Sequence, residues 1–316
     1  MEKFVYKIIP LAEISREFRF SARYSLKDPV LSDSVARRGV LKPIVVTGPH
    51  DIISGHKRFL AAAEAGLKEI PAFEISGIQN SADLYLLAVL SNWNQAFHDL
   101  DRACAVQRAV SDFKMEEKTV LEDILPALGL EPQIHFLQEC LETARLEPSV
   151  LKAVDAGHLP FRGASVLGRF SKSGQADFIS LIADRAALTT NQLLKTGEWL
   201  FDLMKLKKEE LPALLKNSGL QAVLAGRQDR RQKGEKFCAA LRALRFPELA
   251  KKEEEFRSLA GKIREGDAFS LEPPSFFEAE GLTLRARLKN PGAVDQLAAV
   301  LERKRKLFNS LFDIML

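Results

Sequence analysis

A chain of 316 residues with 46% hydrophobic content can bury two or three cores, which excludes a disordered tail. The formal net charge of +4 hides an uneven distribution: residues 1–78 carry 12 Lys and Arg against 9 Asp and Glu, residues 79–200 carry 11 against 16, and residues 201–316 carry 23 against 17. The acidic middle excludes a uniformly basic nucleic-acid sheath, so duplex contact there needs local basic patches.

No apolar run approaches membrane-spanning length, and MEKFVYKIIP at the N-terminus lacks the apolar segment of a signal peptide. A cytoplasmic location and no membrane partner are expected. Cys104, Cys140 and Cys238 are far apart and lack metal-ligand spacing, so they read as buried thiols in a reducing compartment, and no metal site is predicted.

In chain order, Phe4 to Ile8 predicts a strand, Pro29 to Arg38 a helix ended by Gly39, and Pro43 to Thr47 a second strand. The stretch from Asp51 to Ile75, DIISGHKRFLAAAEAGLKEIPAFEI, then reads as strand, glycine turn, helix and strand. Ile52 and Ile53 make the strand, Ser54 can cap the helix, and Gly55 permits a conformation or close ligand approach that a Cβ would block. The helix begins at His56, Lys57 and Arg58, so its free amides, its positive dipole end and up to three cationic side chains converge on one volume suited to phosphate. Phe59, Ala62, Ala63 and Gly66 share a face, Gly66 stops the helix, and Pro71 opens a strand ending at Ile75. Strands alternating with short helices imply a small mixed sheet over residues 1–80.

From Ser81 the pattern turns helical, with Ala103, Val106, Val110 and Phe113 at helix spacing after a polar knot at Asn92, Trp93, Asn94 and Gln95. Thr119 to Leu146 reads as helix-turn-helix: Val120, Ile124 and Leu128 face inward, Gly129 turns the chain, and Ile134, Leu137, Leu141 and Ala144 form the second inner face. Its outer face presents Gln133, His135, Gln138, Glu139, Glu142 and Arg145; Gln133, Gln138 and Arg145 can reach base edges, while Glu139 and Glu142 oppose phosphate. An ordinary bundle helix with a solvated face fits the same pattern. Pro148 to Ala156, Arg162 to Phe170, Gly174 to Arg185 and Asn191 to Lys205 add short helices, giving an all-α middle over 81–205.

Residues 206–316 form the third region. RQDRRQKGEKF, residues 227–237, is the densest basic run, with Arg227, Arg230, Arg231 and Lys233 as DNA-contact candidates or a solvated helix face. Glu248 to Arg264 reads as a charged helix, and AFSLEPP and GLTLRARLKN as strands, the second with Leu282, Leu284, Ala286 and Leu288 inward. A final helix sets Leu297, Val300, Lys304, Leu307, Leu311 and Ile314 in a heptad seam for its own strands or for a partner copy. The expected class is α+β: a mixed-sheet head, a helix-turn-helix middle, and a C-terminal hairpin plus helix.

The spacing Gly55-x-x-Arg58-x-x-Ala61-Ala62-x-x-Ala65-Gly66 resembles the phosphate motif of the ParB partition family, Gly-Glu-Arg-Arg-x-Arg-Ala. LSDSVARRGVLKPIVV upstream and LSNWNQAFHDLDRACAVQRAV downstream resemble the family's flanking blocks, and the C-terminal end resembles its dimerisation region. The resemblance implies a nucleoside triphosphate, CTP in this family, bound at Gly55, His56, Lys57, Arg58 and Asn92, and gating a homodimer on duplex DNA. It also implies chromosome or plasmid partition with a ParA-type ATPase. Two departures stand out: His56 replaces the family's motif glutamate, and Ser91 to Gln95 replace Glu-Asn-x-Gln-Arg, with Asn92 alone matching. Those glutamates are associated in the family with magnesium and hydrolysis, so at most slow turnover is expected. Two alternatives stay open: a small-molecule kinase of the same sheet topology, with Asp51, Glu13 or Glu17 as base, or a nucleotide-binding interaction module that has lost DNA binding. A sulfiredoxin activity is unlike this chain, since Ser54 and His56 flank Gly55 where that chemistry needs cysteine.

Overall fold

The computed structural model describes residues 3–92, 97–263, 269–274, 277 and 281–315. The architecture is α+β, and the chain divides into two compact units, residues 1–201 and 202–316. Trp93, Asn94, Gln95, Arg264 and Ala268 lie outside the described residues.

The first unit opens with a mixed four-stranded sheet in the order β1-β4-β2-β3. The edge strand β1 (Lys3–Pro10) is antiparallel to β4 (Glu69–Ser76), β4 is parallel to β2 (Ile44–Thr47), and β2 is antiparallel to β3 (Ile52–Ser54). α1 (Pro29–Arg38) spans the predicted residues because each end has its device: Asp28 accepts a hydrogen bond from the Leu31 amide, Pro29 needs no partner for its nitrogen, and Gly39 closes the helix at φ +70°. α1 and α2 (His56–Glu64) cover one face of the sheet, where Ile44, Val46, Phe59, Ala62, Ile70 and Ala72 are at most 1% exposed. The alanines of α2 let its axis lie close to the strands. Each large side chain withdrawn there contributes about 1.5–3 kcal/mol.

The other face, through Ile53 and Ile75, enters a second core with α3 (Ser81–Leu90), α4 (Asp99–Ser111), α5 (117–127, with a π turn at Val120–Ile124) and α6 (Ile134–Ala144). Tyr85 stacks on Phe113 at 4.3 Å and donates its hydroxyl to the Ala105 carbonyl at 2.9 Å, so the aromatic body is buried without an orphaned oxygen. This core runs continuously across residue 80. α7 (Pro148–Asp155), α8 (Lys172–Phe178), a π turn at Ile179–Ala183 and α9 (Thr190–Lys207) follow. The helix expected over Arg162 to Phe170 is instead a 3₁₀ turn at Ala164–Arg169, preceded by Gly163 at φ +88°.

The second unit holds α10 (Leu211–Asn217), α11 (Leu220–Ala225), α12 (Arg230–Arg245), α13 (Pro247–Ile263), the hairpin β5 (Phe269–Glu272) and β6 (Thr283–Ala286), then α14 (Pro291–Arg303) and α15 (Arg305–Met315). Arg242 grips Glu253 through two hydrogen bonds of 2.7 and 2.8 Å, tying α12 to α13. The predicted final helix is two helices, broken at Lys304, whose Nζ donates to the carbonyl of Lys262. The apolar members of the seam pack on Phe256, Ile263 and Phe269 of the same unit. Leu282, Leu284 and Ala286 face inward as predicted, but Leu288 lies beyond β6 and is 50% exposed.

Ser54, expected to cap α2, is instead buried at the end of β3, and Gly55 occupies the cap position at φ +102° without a side-chain cap bond. A Cβ on Gly55 would lie 2.6 Å from Ile44 Cγ2, whereas one on Gly66, at φ +71°, would meet nothing within 4 Å. Gly66→Ala should therefore cost about 1 kcal/mol of backbone strain and Gly55→Ala at least about 2 kcal/mol more, measured by urea unfolding. Equal losses at the two sites would refute the close approach to Ile44.

Candidate functional site

The first turn of α2 is placed by the strand before it. With Gly55 against Ile44, the free amides at the helix start open into a cavity of about 380 Å³. Gly55, His56, Lys57, Arg58 and Asn92, the predicted nucleotide residues, all line it. Ala22, Arg23, Leu26 and Asp28 from the loop before α1, Leu31 of α1, and Lys42 before β2 complete the wall.

Each cation is positioned differently. Arg58 Nη1 donates to the carbonyls of Lys42, at 2.8 Å, and Pro43, and its burial draws its pKa below the usual arginine value. Lys57 Nζ lies 3.4 Å from Asp28 Oδ2. Arg23 pairs with Asp101 at 2.9 Å and sits over the Phe97 ring at 4.1 Å from its centroid. Lys42 is exposed at the rim. Together the lining carries four cationic side chains and one carboxylate, a net of three positive charges. Asn92 donates its amide to the Ala88 carbonyl at 2.7 Å.

His56 is 7% exposed and its Nε2 has no hydrogen-bond partner. Its ring meets Phe18 edge-on, with centroids 5.8 Å apart. Burial first, then the nearby Arg108 and Arg58, push its pKa down to about 4 against the opposing pull of a hydrogen bond to Ile52. His56 is therefore a neutral imidazole near pH 7 and adds no charge, so the third cation expected at the turn is supplied instead by Arg23 and Lys42. Sequence reading missed both, because neither falls in a periodic element; only their positions beside Asp28-Pro29 and Pro43 hint at them.

The carboxylates considered as a kinase base lie elsewhere. Glu13 approaches His50 at 3.8 Å, Asp51 precedes β3 at the end away from Gly55, and neither they nor Glu17 line the cavity. Cys140 is buried and Cys104 and Cys238 are half-buried, and burial raises Cys140 to about 12 and Cys104 to about 11, which leaves both as unreactive thiols.

The DNA-contact candidates fall into two groups on different units. α6 presents Gln133, Gln138 and Arg145 to solvent. Gln133 donates to Glu131 at 2.7 Å. Arg145 follows the C-terminus of α6, beside Glu142, Arg169 and Glu198, about 18 Å along the axis from Gln133. Gln138 and Arg145, seven residues apart, fall on the same exposed side as Glu142, whereas Gln133 precedes the first turn as the N-cap residue. The inner face is turned from the predicted one: Leu137, Cys140 and Thr143 are buried, Leu141 and Ala144 sit at the margin, and Ile134 is 45% exposed. The packing of α6 on α4 centres the buried stripe on Cys140, and Ile134 projects past the turn. Arg227, Arg230, Arg231 and Lys233 stand at the start of α12 in the second unit, where Arg231 pairs with Glu235 at 3.3 Å and Asp229 caps the helix at the Gln232 amide.

Residues 7–90 match the family described as ParB N-terminal domain. This segment is similar to a ParB N-terminal domain. A probable chromosome-partitioning protein ParB of Coxiella burnetii is 30% identical over 159 residues, or 49% of this chain, and the chain spans about half, 52%, of that relative's length. Two structures of C-terminally truncated ParB from Caulobacter crescentus also align. The one complexed to the centromeric parS site has 17% identity over 61% of this chain and 98% of its own, with a TM-score of 0.37. The one complexed with CTP-gamma-S has 19% identity over 55% and 99%, with a TM-score of 0.23. The matched segment contains all the described cavity residues except Asn92, which follows its last matched residue by two positions. Among the described residues no helix is long and apolar enough to cross a membrane.

The neutral state of His56 has a consequence for stability. Its folded pKa of about 4 lies below the usual histidine value of 6.5, so its contribution is present above pH 6.5 and is lost as pH falls toward 4. Between pH 7 and pH 5 this one group should remove about 2 kcal/mol of stability. His56→Gln, which cannot take up the proton, should flatten that part of the urea-unfolding profile. An identical slope in the variant would refute the assignment.

Proposed function

We propose that the chain is a nucleotide-gated, DNA-binding partition protein that works as a homodimer. The observation that carries this reading is the convergence of the α2 N-terminus with Arg23, Lys42, Lys57 and Arg58 on one cavity in a segment similar to a ParB N-terminal domain. Backbone amides, helix dipole and cationic side chains directed at one volume suit a polyphosphate, and the apolar Ala22, Leu26 and Leu31 offer a surface for the nucleoside. The family resemblance makes CTP the nucleotide to test first, and a ParA-type ATPase the further partner. With His56 neutral and no carboxylate free to act as base among the described lining residues, binding governs the gate and turnover is slow at most.

Arg58→Ala should weaken CTP binding at least tenfold, about 1.4 kcal/mol, in calorimetric titration of the folded variant. Undiminished affinity would remove the cavity from the reading. The homodimer is tested in sedimentation, where a monomer at micromolar concentration would refute it.

DNA contact rests on the exposed front of α6 for sequence preference and on the start of α12 for charge. Neutralising Arg227, Arg230, Arg231 and Lys233 together should weaken duplex binding and flatten its salt dependence, while Gln133→Ala and Gln138→Ala should mainly change sequence preference. The acidic balance of residues 79–200 favours one competing reading, in which the helical middle binds protein. Absence of binding to any genomic duplex at low salt, with nucleotide present, would select it.

A further inference from the structure

We propose that the cavity holds its polyphosphate ligand without a divalent cation, its own lysine and arginine side chains neutralising the phosphates where a metal otherwise would. This rests on the nucleotide reading above and concerns how that site handles charge. Magnesium requires oxygen ligands in near-octahedral geometry and is usually anchored by one or two carboxylates besides the phosphates.

The lining does not supply them. Asp28 is the one carboxylate among the described lining residues, and both its oxygens are engaged: Oδ1 accepts from the Leu31 amide at 3.1 Å and Oδ2 faces Lys57 Nζ at 3.4 Å. Moving Asp28 to a metal would uncap α1 and release Lys57. His56 stands where the resembled motif has glutamate, and it offers a buried imidazole nitrogen rather than an oxygen. Ser91 donates its hydroxyl to the Ala88 carbonyl at 2.9 Å. Among the described residues no group of three His, Cys, Asp or Glu side chains is arranged for a metal.

The charge balance points the same way. With Arg23 paired to Asp101, the site still carries a net of two positive charges, which together with the helix dipole oppose much of the charge of a triphosphate. A magnesium-complexed ligand carries less negative charge into this field, so the metal should weaken the interaction or leave it unchanged.

The test is calorimetric titration of the full chain with CTP, and separately with inorganic tripolyphosphate, in EDTA and in millimolar magnesium chloride at matched ionic strength. The expected dissociation constant in EDTA is tighter than with magnesium or within about threefold of it. Binding that tightens about tenfold or more on adding magnesium would overturn the inference while leaving the nucleotide reading intact. No binding in either arm would overturn both. Lys42→Gln, at an exposed position, should lose about tenfold in both arms alike. Recovery of that loss by magnesium would also overturn it.

Discussion

The buried carboxylate of Asp101 is the interaction on which the cavity depends. It is 6% exposed and accepts from Arg23 Nη1 at 2.9 Å, the Tyr24 amide at 2.8 Å and the His98 amide at 3.2 Å. One side chain of α4 thus fixes the loop before α1 and caps its own helix. Arg108, two turns further along α4, takes up the carbonyls of Phe18 and Arg19 in the same loop. These bonds tie the stretch from Phe18 to Tyr24 to α4, while Asp28 is held by the Leu31 amide and Lys57. An uncompensated Arg23 would be left half-stacked on Phe97, which makes the ion pair costly to break from either side.

That anchoring explains why the domain is not an isolated strand-turn-helix. The α2 N-terminus brings amides, a dipole, Lys57 and Arg58, and the other two lining cations come from residues far away in sequence, Arg23 held by α4 and Lys42 at the rim. The resulting site is rich in donors and poor in acceptors. Such a constellation binds and orients anions; it offers little to activate a water or a hydroxyl, and His56, neutral and without a partner at Nε2, has no carboxylate behind it to make it a base.

The helix-turn-helix shows how one packing contact sets what a surface can read. Because α6 buries Leu137, Cys140 and Thr143 against α4, its exposed side holds Ile134, Gln138, Glu142 and Arg145, while Glu139 is half-buried. On the proposed DNA reading, one arginine against one glutamate on that side supplies little net attraction to phosphate, and the start of α12 carries the densest basic set.

The sequence by itself determined the local elements. The α1 boundaries follow from Asp28, Pro29 and Gly39, the strands from β-branched runs, and the turn at Gly55 from the only residue that tolerates both its φ and the nearness of Ile44. These signals lie within a few residues of the structure they specify. Tertiary structure alone decided what depends on distant partners: which face of α6 is buried, the break of the C-terminal seam at Lys304, the packing of that seam within its own unit, and the recruitment of Arg23 and Lys42 to the cavity. It also decided the charge of His56, which reads as a cation in the chain and becomes neutral because Phe18, Arg108 and Arg58 close around it. Protonation and burial are properties of the surroundings, and in this protein the surroundings are assembled from residues separated by as much as ninety positions.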